Sequence, residues 1–83
     1  MKIERTRYVV LNKDKTEIFC GLAKHYKFKP IGDIGNAAIK SYLSENKAKS
    51  GFLSSWWNSK PEDFKNGTYH VAKITESVEI ELE

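Results

Sequence analysis

Eighty-three residues, 40% hydrophobic, 12% aromatic and 30% charged, with two prolines and five glycines, make one small globular domain over 1–83, with no room for a second core. A single cysteine, Cys20, excludes an intrachain disulfide. No apolar run is long enough for a membrane span or placed as a signal peptide, so the expected location is the cytoplasm. The net charge of +3 hides an asymmetry: residues 1–60 carry twelve Lys/Arg against five Asp/Glu, and residues 61–83 carry two against six. Such a chain either binds an external anion or neutralises itself on folding, and self-neutralisation costs the fold nothing.

Residues 5–12, RTRYVVLN, and 16–21, TEIFCG, are short β-prone runs separated by the polar NKDK, which predicts a hairpin. In HYKFKP, residues 25–30, Tyr26 and Phe28 alternate with Lys27 and Lys29, a strand with one wet face, stopped by Pro30. Residues 31–38, IGDIGNAA, read as a surface loop, and 39–43 as a short extended segment leading into a helix. That helix has Ser44 as N-cap, Glu45 in its first turn, and Ala48, Phe52 and Trp56 at i, i+4, i+8. Gly51 in its middle costs roughly 1 kcal/mol relative to alanine, a cost that close packing against a sheet would justify. Asn58 and Pro61 end it, leaving 58–66 as a loop.

Asn66-Gly67 marks a turn before the strand TYHVAKIT, residues 68–75. The last residues, SVEIELE, alternate Val78, Ile80 and Leu82 with Glu79 and Glu81, the pattern of a half-buried strand; without a pairing strand, 76–83 is a frayed tail. The expected fold is α+β: a small antiparallel sheet of three to four strands in β-β-(β)-α-β order, with one helix packed on one face.

Candidate functional residues follow from this layout. Successive helical positions differ by ~100°, so Trp56 takes the core side and Trp57 the flank. There Trp57 either caps the core edge or anchors a partner, since tryptophan is enriched among interface hot spots. Phe64, in the polar loop, is either a lid over the core or part of the same protein-binding patch. A homodimer through an edge strand, with SVEIELE as the candidate edge, would use similar features. The alternative is nucleic-acid binding by a cationic strip of Arg5, Arg7, Lys24, Lys27 and Lys29, with Tyr26 and Phe28 interleaved.

Catalytic and metal chemistry find little to build on. Cys20 precedes a glycine in an apolar run and reads as a small buried hydrophobe. His25 and His70 fall on separate predicted strands, without a local carboxylate cluster to complete a zinc site. Gly32-x-x-Gly35 is too sparse to cradle phosphate. No enzymatic activity and no cofactor are expected.

RYVVLNKDKTEIFCGL, HYKFKP, the Ser-x-x-Lys-Ala helix and the Tyr69-His70-Val71-Ala72-Lys73 strand resemble the layout of small uncharacterised proteins encoded in phages and prophages of Gram-positive bacteria. That resemblance implies a non-enzymatic accessory protein that binds a host or phage macromolecule. It carries no catalytic residues to transfer.

Overall fold

A computed structural model of the chain describes residues 1–21, 28–33, 39–55 and 59–81. Four strands, β1 (Lys2–Leu11), β2 (Glu17–Phe19), β3 (Phe28–Pro30) and β4 (His70–Glu79), form an antiparallel sheet in the order β3-β2-β1-β4. Two helices, α1 (Glu45–Ser55) and α2 (Glu62–Lys65), precede the last strand, and a single 3-10 turn, Ile31–Asp33, follows β3. The α+β architecture therefore forms with four strands.

The β1–β2 hairpin turns without glycine, because Asn12 organises it. The Asn12 carboxamide oxygen accepts from the amides of Thr16 at 2.8 Å and Glu17 at 2.9 Å. Lys15 takes the left-handed conformation, φ 59°, that lets the chain reverse. After β2 the backbone returns to β1 once more. Tyr8 and Tyr42 exchange amide–carbonyl bonds of 2.9 and 2.8 Å, so the extended segment leading into α1 occupies the edge that β2 leaves.

Helix α1 starts as its sequence predicts, with Ser44 Oγ accepting from the Lys47 amide at 3.1 Å. It presents Ala48 and Phe52, both fully buried, to the sheet. Phe52 is the hub of an aromatic core. Its ring centroid lies 4.8 Å from Phe19 and 4.7 Å from Tyr69, both edge-on, with Phe28 and Phe64 beyond. Gly51 has the function its cost implied. The ring of Tyr42 lies against it, and a Cβ there would overlap Tyr42 Cε1.

The other face of the sheet is not wet, as a one-faced sheet would have it. Val9, Ile18 and Cys20 are buried there, with Leu11, Ile39, Ala72 and Ile74 packed around them. Residues 58–66 are not all loop either: 62–65 form α2, and Lys60 N–H donates to the Asp63 carboxylate at 2.9 Å. Nor do residues 76–79 form a separate strand, and 82–83 lie outside the described residues. Residues 76–79 continue β4, in unbroken register with β1 from Leu11–His70 to Lys2–Glu79. Beyond that ladder the Ile80 amide donates to the Met1 carbonyl at 2.7 Å.

Candidate interaction surface

The two long strands outrun the body. β2, the segment at Tyr42 and α1 cover β1 only from Tyr8 onward, whereas residues 2–6 of β1 pair with 75–79 of β4 as a two-stranded ribbon. A ten-residue strand spans about 33 Å, and the whole chain measures 48 × 25 × 21 Å. No residue of this ribbon is buried. Residues directly opposite one another share a face, so Ile3 and Val78 sit side by side, 42% and 37% exposed. Ile74, half-buried, continues this stripe toward the Val9 core.

Opposite charges stand together along the ribbon. Arg5 Nε donates to Glu76 Oε2 at 3.0 Å, Lys2 stands opposite Glu79, and the N-terminal ammonium donates to the Ile80 carbonyl at 2.7 Å. The basic start of the chain thus meets its acidic end within one fold. Of the uneven charge, the ribbon sets Arg5 against Glu76 and the N-terminus near Glu79.

The two borders of the sheet differ. β3 is three residues long and ends at Pro30, a blunted edge. β4 is ten residues long, without proline, glycine or a break in register. Because Tyr8 bonds away from β4, the backbone groups of Arg5 and its alternate neighbours are those that bond β4. In β4 it follows that Val71, Lys73, Thr75, Ser77 and Glu79 turn their amides and carbonyls outward, and no described residue pairs with them.

The predicted site residues scatter over this frame. Trp57, Lys24 and Lys27, with Tyr26 and His25, lie outside the described residues. Arg5 is held by Glu76, and Arg7 donates to Ser41 through Nε to Oγ and Nη2 to the carbonyl, each at 3.2 Å. Lys29 shares their face of the sheet, since it pairs with Ile18. It stands two strands away, however, and about 13 Å further along than Arg7. Arg5, Arg7 and Lys29 therefore form no continuous strip, and both arginines have partners within the chain. Phe64 is half-buried, its ring 5.8 Å from Phe52 and 6.2 Å from Tyr69, with the Lys49 ammonium 6.0 Å from its centre. It roofs the aromatic core.

Cys20 is buried, with Sγ 3.6 Å from the Ile18 carbonyl, and His70 Nε2 lies 3.2 Å from the Lys13 carbonyl. Among the described residues no three His, Cys, Asp or Glu side chains gather as metal ligands would, and no helix is long and apolar enough to cross a membrane. Sequence reasoning overlooked the pairing of the two chain ends. Its one visible signal was Ile3 between the polar Lys2 and Glu4, matching Val78 between Ser77 and Glu79. Comparison with protein-family models, curated proteins and solved structures finds no match to this chain.

Proposed function

We propose that this chain is a non-enzymatic cytoplasmic binding module, an accessory protein of phage or prophage origin that acts on a host or phage protein. The observation that supports it best is the ribbon, an ordered two-stranded extension whose Ile3–Val78 pair lies open. Two strands alone are marginal in water, because neither face buries enough surface to offset chain ordering. A protein surface laid on that face would supply the missing burial, and the Arg5–Glu76 pair beside it on the same face would orient it.

The test is affinity capture from host and phage-infected extracts, followed by binding of the purified partner to the parent chain and to an Ile3→Ser/Val78→Ser variant. The variant should melt nearly as the parent does and bind about tenfold or more weakly, the usual effect of truncating a small apolar contact centre. Equal binding by both would remove the ribbon as the contact surface.

A further inference from the structure

We infer that a second copy of this chain pairs antiparallel along the outer edge of β4, joining two four-stranded sheets into one of eight. The inference goes beyond the binding reading and rests on different atoms, the outward backbone groups of β4. Edges of this length are ordinarily blunted by proline, a bulge or short strands, as β3 is here. β4 has none of these backbone devices, only the charges of Lys73, Glu76 and Glu79. Pairing two copies would give each two-stranded ribbon the third and fourth strands that make such a structure stable.

Symmetry narrows the register to a few choices. In a two-fold pair of antiparallel strands one residue faces its own copy. With Ser77 on the axis, Lys73 faces Glu81 of the second copy, twice over by symmetry. Thr75 then faces Glu79, and on the opposite face Glu76 meets Val78 and Ile74 meets Ile80. Placing Glu76 on the axis pairs Lys73 with Glu79 but sets two carboxylates against each other, and placing Val78 there moves the partner of Lys73 from Glu81 to Glu83, which Glu81→Lys distinguishes. With Thr75 on the axis, Lys73 meets only Ser77, and Val71 meets Glu79. The Ser77 register also centres pairing on the far half of β4. That keeps clear of α2, which is tied to the start of β4 by the Tyr69 amide bond to the Asp63 carbonyl at 3.1 Å.

The experiment is sedimentation or light scattering of the full chain at about 100 μM, where a micromolar Kd leaves mostly dimer. The parent should give twice the 9.5 kDa chain mass. Ser77→Pro removes an outward amide without touching a β1–β4 bond, so it should give monomer with an unchanged circular dichroism spectrum. Lys73→Glu and Glu81→Lys should each weaken dimerisation about tenfold, since each sets like charges together at two symmetric places, and the combined variant should recover it. A monomeric parent, a dimer indifferent to Ser77→Pro, or a combined variant no tighter than the single ones would each overturn the inference. Should Ser77→Pro unfold the chain, the charge-reversal set decides alone. Mass is read with no partner present, so a monomeric result leaves the binding reading standing, and unaltered capture by the Ile3/Val78 variant leaves this one standing.

Discussion

Tyr42 shows how one side chain couples helix and sheet. Its backbone is fixed by the two bonds to Tyr8 and its hydroxyl is buried, so its ring leaves Gly51 only by giving up that burial. On helix propensity alone, Gly51→Ala should stabilise α1 by about 1 kcal/mol. The overlap with the pinned ring reverses the sign, and a net loss of about 1–2 kcal/mol is expected in urea unfolding. In a Tyr42→Ala background the same substitution should become neutral or stabilising, and a loss there too would refute the steric account. The Tyr42 hydroxyl is buried without a hydrogen-bond partner among the described residues, and burial raises its pKa above the ordinary 10.0. The folded chain then holds this proton after the unfolded chain has released it. Stability should accordingly fall as pH rises past 10 toward the folded value. Tyr42→Phe should be at least as stable as the parent at neutral pH and should lose that part of the alkaline decline.

At the scale of elements, local chemistry was legible where it is self-contained. The Ser44 cap, the Ala48–Phe52 ridge, the Asn66-Gly67 turn and the first hairpin all declare themselves over a few residues. Ser44→Ala should cost about 1 kcal/mol in thermal melts, and no loss would mean that another group satisfies the Lys47 amide. Asn12→Ala should cost about 1–2 kcal/mol, because the amides of Thr16 and Glu17 lose their acceptor together. α2 was hidden because a four-residue helix has no periodicity, although Pro61 followed by Glu62 and Asp63 is a helix-start signal. The second core was overlooked for a different reason. Val9, Val10 and Leu11 run together without alternation, which marks a strand covered on both sides, yet the reading assumed one wet face. Phe64 was legible as a lid or a contact residue, and only the position of Phe52 and Tyr69 beneath it shows it roofing the core.

The whole molecule depends on joining its two ends, which no local window could reveal. β1 is an interior strand and the first of the four in chain order; β4 is its longest partner and the last of them. The ladder between them splits into two parts of unlike energetic weight. Near the body, Val9 and Val10 are buried opposite Ala72 and Val71; along the ribbon, no residue is buried and the Arg5–Glu76 pair is solvent-exposed, a kind worth only a few tenths of a kcal/mol. Total stability for 83 residues should be about 4–12 kcal/mol. A chain ending at Thr75 loses four of the ten β1–β4 pairs but, among the described residues, no buried side chain, so it should melt only about 4–8 °C lower, close to 1 kcal/mol. Phe52→Ala removes one ring but opens a cavity beneath Phe19, Phe64 and Tyr69, and at about 3–5 kcal/mol it should consume much or all of the margin. Parallel melts of the two variants compare the two parts of the ladder directly. If the shortened chain unfolds as completely as Phe52→Ala does, the ribbon is integral to the fold, and its open faces must be understood as structure before they are understood as a binding surface.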